Sequence, residues 1–182
     1  DVDALDSHTY TLVFGIGSTH NSSFGISGTN LKTAASFNFE SQSSYSIRIR
    51  TTDSGGLDYE EAFTITTQDI NDTPSDISLT SNSVNENMDS GTTVGALSST
   101  DDDALDSHTY ALVSGTGSTH NSFFFIFGNY LQITASFDFE SQSSYNIRIR
   151  TTDSGTGTLY YEEAITITIQ DINEVPTDIS LT

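Results

Sequence analysis

A chain that repeats itself must fold as similar units joined in series, and self-similarity therefore constrains this sequence before any other feature. Sliding it by 100 residues pairs "DVDALDSHTY" at 1–10 with "DDDALDSHTY" at 101–110, and 41 of the 55 positions in 1–55 are identical in 101–155. The second copy then carries two additional residues in "GTGTLYYEE" relative to "GGLDYEE", after which the offset is 102. The phrase "QDINDTPSDISLT" at 68–80 returns as "QDINEVPTDISLT" at 170–182 and marks the junctions. One complete repeat is expected over 76–176. The first copy, 1–75, has no counterpart of "SNSVNENMDSGTTVGALSST" and lacks its opening strands. Residues 177–182 read as the opening strand of a following repeat, a candidate for donation to the next subunit.

The repeat reads as strands. "YNIRIRT" at 145–151 alternates Tyr145, Ile147 and Ile149 with Asn146, Arg148 and Arg150, and "AITITIQ" alternates Ile165, Ile167 and Ile169 with Thr. Such two-residue periods belong to half-buried strands. Shorter alternations at "TYALV", "FFFIF" and "TVGAL", parted by Gly, Ser and Asn, bring the expectation to about seven strands in about 100 residues. No segment carries a 3.6-residue apolar period. The fold class is all-β: tandem Greek-key β-sandwiches, the first truncated at its N-terminus.

Composition narrows the partners. Against 5 Lys and Arg stand 25 Asp and Glu, a formal charge of −20. Such a polyanion repels nucleic acid, anionic membranes and itself, so cations are its natural partners. There is no cysteine, hence no disulfide and no thiolate metal site or nucleophile. No apolar run approaches the roughly 20 residues that cross a bilayer, so membrane insertion is not expected. Without a basic region followed by an apolar one, Asp1 reads as the start of a segment rather than of a newly made protein.

The acids gather where strands end: Glu86, Asp101, Asp103, Asp138, Glu140, Asp153, Asp171 and Glu174, with the amide of Asn173 among them. Carboxylates crowded within a few ångströms oppose one another's ionisation unless a hard divalent cation holds them. Calcium, with six to eight oxygen ligands at about 2.3–2.6 Å, suits carboxylates, carbonyls and Asn. A contiguous calcium loop of the EF-hand type does not fit, because "DDDALDSHTYAL" puts Asp106 where that loop needs Gly and Leu112 where it needs Glu. Separate segments must assemble the site.

The motifs "NEN" (85–87), "TDDD" (100–103), "FDFE" (137–140), "TTDSG" (151–155) and "DINEVP" (171–176) together resemble, in order and spacing, those of cadherin repeats, with wording closest to the cadherin-like repeats of bacterial surface proteins. The resemblance covers essentially the whole chain. It implies calcium between consecutive repeats, extracellular or cell-surface location, and ligands divided between two domains. At the internal junction the first copy would offer Asn38, Glu40, Asp69, the Asn71 carbonyl and Asp72, and the second Asp101, Asp103 and Asp153. Asn38 stands where the second copy has Asp138, and the counterpart of Glu86 is missing, so fewer ions or weaker binding are expected there. The resemblance leaves Glu86, Asp138, Glu140, Asp171, Asn173 and Glu174 to face a following repeat and Asp1, Asp3 and Asp53 a preceding one. These half-sites are complementary, which suggests head-to-tail association of identical subunits into a filament, as an alternative to a longer covalent array.

"SFGIS" at 23–27 becomes "FFFIF" at 123–127, placing Phe123, Phe125 and Phe127 on the outward face beside Tyr130. Outward aromatics mark a contact, either with another chain or with sugar, and the alternative function is a calcium-dependent carbohydrate-binding module. The four His lack metal-ligand spacing. Arg48, Arg50, Arg148 and Arg150 lie on the solvent face of one strand, where cross-strand pairing with Glu is expected. Asn21 in "NSS" is a glycosylation acceptor sequence. With no Gly-x-Ser-x-Gly, no phosphate loop and no His beside a nucleophile, an enzyme is not expected. The leading reading is a calcium-rigidified structural repeat of an adhesin, stalk or filament.

Overall fold

The computed structural model describes residues 7–176; Asp1, Asp3 and the strand expected over 177–182 lie outside the described residues. Among the described residues there are thirteen strands, two single-turn 3₁₀ helices and no α-helix. The chain divides into one unit ending at Ile70 and a second starting at Asn71. Residues 71–75 pack with the second because Pro74 is fully buried and the Ser75 N–H donates to the Thr100 carbonyl at 2.8 Å.

In the first unit the strands are β1 (Thr9–Leu12), β2 (Phe24–Ser27), β3 (Asn30–Thr33), β4 (Ser44–Thr52) and β5 (Asp58–Thr66). The second contains β6 (Asp76–Leu79), β7 (Ser83–Asn85), β8 (Thr93–Thr100), β9 (His108–Leu112), β10 (Phe124–Phe127), β11 (Tyr130–Ile133), β12 (Ser144–Asp153) and β13 (Tyr160–Gln170). Two four-stranded sheets, β7-β13-β12-β9 and β10-β11-β8-β6, form its sandwich. Alternation decides what they bury. On β12, Tyr145, Ile147, Ile149, Thr151 and Asp153 all point inward, and on β13 Ile167 and Ile169 do the same. Leu131 and Ile133 meet them from the opposite sheet.

The opening strands of the second unit lie in different sheets. β6 runs antiparallel to β8 in one sheet, and β7 runs parallel to β13 in the other, so the segment 80–82 crosses between sheets. Gly95 makes the crossing possible: a Cβ there would stand 2.6 Å from the Ser81 carbonyl oxygen and 2.8 Å from its nitrogen. The crossing therefore excludes any side chain at 95 without a shift of backbone.

The first unit repeats this scheme with fewer strands. β1-β4-β5 form one sheet and β2-β3 the other, and Tyr45 faces Ile65 as Tyr145 faces Ile167. β8 pairs with β11, but β3 has no second neighbour among the described residues. The consequence is local: Leu31 is 38% exposed where its counterpart Leu131 is 0% exposed. The buried cluster contracts to Phe24, Tyr45 and Ile47.

The arginines pair as expected. Glu162 on β13 accepts from Arg148 Nε at 2.9 Å and from Arg150 Nη2 at 2.6 Å, and Glu60 on β5 plays the same part for Arg48 and Arg50. Hydrogen bonds from Arg150 and Arg148 lower the Glu162 carboxyl below its ordinary range.

Replacing Leu131 with Ala is expected to cost the second unit about 2–5 kcal/mol. Leu31→Ala, at a half-exposed site, should cost under about 1 kcal/mol. Paired denaturant curves test this, and equal costs would refute the difference in cover.

Candidate functional site

β12 pairs Ser144 with Thr168 at one end and Asp153 with His108 at the other. At about 3.3 Å per residue its ten residues separate those ends by roughly 30 Å. The strand-end acids of the second unit fall into two groups, one at each end of this strand. They do not gather at a single pole.

At the Asp153 end the alternation of β12 carries a carboxylate inward after four apolar or hydroxyl positions, leaving Asp153 buried. Its Oδ1 accepts from the Gly155 N–H at 3.1 Å, and its Oδ2 accepts from Asn71 Nδ2 at 3.2 Å. Thus the Asn71 side chain, rather than its carbonyl alone, turns toward the acids. In the loop between β8 and β9, Asp101 accepts from the Asp103 N–H at 3.2 Å and lies 2.9 Å from His108 Nε2. Asp103 accepts from the Asp72 N–H at 2.6 Å. Asp106, absent from the sequence expectation, completes the group: Asp101, Asp106 and Asp153 each bring a carboxylate oxygen within 4.8 Å of the others. Oxygens on one calcium at about 2.3–2.6 Å lie within about 5 Å of one another, so the spacing suits that ion.

At the opposite end Glu86 follows β7 directly and is 2% exposed. Its two oxygens accept from the Phe139 and Ile172 N–H groups, each at 2.8 Å, tying two loops together. Asp138 accepts from the Ser141 hydroxyl at 2.9 Å and from its N–H at 3.1 Å, bonds that lower its carboxyl below the ordinary range. Glu140 shifts the other way. A bond to its own backbone N–H lowers it, but burial and the charges of Glu86, Asp171 and Glu174 outweigh that and raise it. Glu86, Asp138 and Glu140 also bring oxygens within 4.8 Å of one another. Glu174 accepts from Asn87 Nδ2, while Asp171, Asn173 and Glu174 remain exposed.

In the first unit Glu40 and Asp69 approach each other within the same 4.8 Å, and Asn38, the uncharged counterpart of Asp138, accepts from the Ser41 N–H. Asp53 accepts from the Leu57 N–H at 2.8 Å. The donor sets are oxygens throughout, and they fit a hard cation.

The remaining expected residues have other surroundings. Phe125, Phe127 and Tyr130 are exposed, with Phe127 opposite Tyr130 across β10 and β11. Phe123, which precedes β10 in a 3₁₀ turn, is exposed as well, with its ring 5.2 Å from that of Tyr145. Asn21 donates to the Val13 carbonyl at 2.9 Å and accepts from the Arg48 N–H at 3.0 Å. Asn121, which is no acceptor sequence, makes the same two bonds, so this asparagine serves as a loop anchor in both copies.

The sequence profile of the Cadherin domain family matches residues 80–170, half of the chain. Protocadherin gamma-A11 of Homo sapiens is 33% identical over 147 residues, covering 78% of this chain and 15% of the relative. Protocadherin alpha-2 of Homo sapiens is 27% identical over 187 residues, covering 94% of the chain and 19% of the relative. Among solved structures, PcdhgB3 EC1-4 covers 91% of this chain and 41% of its own length at 25% identity and a TM-score of 0.66. Human Protocadherin-24 EC1-2 covers 95% of this chain and 85% of its own length at a TM-score of 0.69, and at 19% identity it speaks for the fold alone. The chain belongs to the cadherin domain family. It spans under a fifth of the length of the curated relatives just described.

Glu86→Ala would strip two part-buried N–H groups of a charged acceptor at about 1.5–3 kcal/mol each. We expect a loss of at least about 3 kcal/mol from the second unit in chelator, where no divalent ion contributes. Denaturant unfolding checks it; a loss under about 1 kcal/mol would mean that water replaces the carboxylate.

Proposed function

We propose that the chain is a calcium-rigidified adhesion repeat, in which each unit's carboxylates take cations that stiffen the joint to its neighbour. The observation that carries this reading is the pair of oxygen clusters at opposite ends of the second unit. One end would use Asn71, Asp101, Asp103 and Asp153, and the other Glu86, Asp138, Glu140 and Asp171, with Asn173 and Glu174 outside them. Asn38, Glu40 and Asp69 are the matching donors of the first copy, and Asn38 removes one charge there. Bound calcium supplies positive charge that cancels the repulsion among these carboxylates. The protein supplies geometry: the β12 ladder fixes Asp153, and the bonds from Glu86 to two loops fix the other end.

Partners of the same kind suit a repeat of this family. A solved protocadherin gammaB7 EC3-6 structure is a cis-dimer, and this chain covers 41% of its length. Head-to-tail association of such units is the finer form of this reading. The sugar-binding alternative gains nothing from the described relatives.

Extracellular calcium modules bind at about 10⁻⁴–10⁻³ M. Ten times that dissociation constant adds about 1.4 kcal/mol per site to the folded state. Melting in millimolar calcium should accordingly occur well above melting in chelator, and coincident curves would remove the calcium reading while leaving the fold intact.

A further inference from the structure

β3 lies at an edge of the first unit, and the second unit contains the strand that covers the matching edge of β11. There β8 runs antiparallel to β11, setting Gly95 opposite Leu131 and Ala96 opposite Tyr130. Gly95, Leu97 and Ser99 share the inward parity of that strand. Leu97 is buried, and the Ser99 hydroxyl lies 2.6 Å from Thr151 Oγ1 and donates to Tyr110 Oη at 3.1 Å.

The first unit keeps the receiving half of this arrangement. Tyr10, Leu31 and Thr51 are identical to Tyr110, Leu131 and Thr151, whereas Thr33 replaces Ile133, so the match is to residues 95–99. Leu31 and Tyr10 are both half-exposed. Thr51 sits between Tyr10 and Tyr59 in its sheet, as Thr151 does between Tyr110 and Tyr161. Its hydroxyl is shielded from solvent yet has no hydrogen-bond partner among the described residues. Such a group costs free energy until a partner meets it. A pocket of about 330 Å³, lined by His8, Thr51, Asp53, Leu57, Asp58 and Tyr59, opens at the same place.

We propose that the first unit is a strand acceptor: an extended segment of a second polypeptide adds antiparallel to β3, presenting a small residue to Leu31, an apolar residue two places on, and a Ser or Thr hydroxyl two places further to Thr51. Backbone bonds along β3 supply affinity, and the alternate side chains supply specificity. Charge limits the occupant as well. In a chain of formal charge −20 an acidic segment is repelled, and the template strand with its approach, GTTVGALSST at 91–100, carries no charge. The acceptor role is separate from the calcium reading above and does not require it.

The test is amide hydrogen exchange of the whole 182-residue chain, in chelator and in calcium, with the synthetic peptide GTTVGALSST. Protection should rise over residues 29–33 in both solutions, and the peptide carrying Leu97→Asp should give none. Thr51→Val removes the unpartnered hydroxyl, so the free chain should melt at or above wild type while the peptide binds roughly fivefold more weakly, the worth of one hydrogen bond. Ser99→Ala in the peptide should weaken it to the same degree, and the two changes together should do no more than either alone. Unchanged exchange over 29–33 at millimolar peptide would overturn the proposal, as would an affinity indifferent to Thr51→Val. Protection over β11 alone would mean that the peptide trades places with β8, and protection over 29–33 that is complete without peptide would mean that the chain's own residues cover β3. Protection that appears only when the peptide is fused ahead of Asp1 would place the strand in the same chain. Each of these three results also overturns a separate partner.

Discussion

The two-residue alternation of β12 is the constraint on which the second unit depends. It sends Tyr145, Ile147 and Ile149 into the core, where they meet Leu131, Ile133 and Ile167, and the same parity delivers Thr151 and Asp153 to the inward face at the strand's far end. A shift of one residue would turn the isoleucines to solvent and the arginines inward. Core and acid site thus share one register. The outward residues reinforce it, because Arg148 and Arg150 clasp Glu162 across the β12–β13 ladder.

The strands were legible in the sequence because alternation is a local signal, and the duplication supplied a second reading of each. The acids at strand ends were legible as well. What stayed hidden depends on contacts between distant segments. The split of β6 from β7 follows from where 80–82 crosses β8, a matter of Gly95 and Ser81, which lie fourteen residues apart in the chain. The division of the acids into two poles follows from strand direction, which composition does not carry. Asp106 looked like a residue that spoils a contiguous calcium loop, and only the return of Ser154 and Gly155 against it shows its setting. A signal was available for Asn21: its identical neighbour Asn121 lacks the acceptor sequence, which points to a structural use common to both copies.

Comparison of the two copies also separates what packing demands from what it tolerates. Positions buried in both copies, such as Phe24 and Phe124 or Tyr45 and Tyr145, are unchanged, whereas Ile133 and Ile169, buried only in the second, are Thr33 and Thr67 in the first. Divergence concentrates on β2 and β3 against β10 and β11, where the outward side carries Ser, Gly and Lys32 in one copy and Phe125, Phe127 and Gln132 in the other. The sandwich sets no requirement on that face, so the copies are free to present different surfaces on one scaffold.

The parallel pairing of β7 with β13 has a mechanical consequence. β7 lies near the entry of the second unit and β13 near its exit, and Ser83, Val84 and Asn85 are matched to Thr168, Ile169 and Gln170. Tension drawing entry and exit apart would load these hydrogen bonds in shear, along the strands, so that they must yield together instead of opening one after another. The same few bonds that complete the sheet at rest would act as a clamp when the chain is pulled.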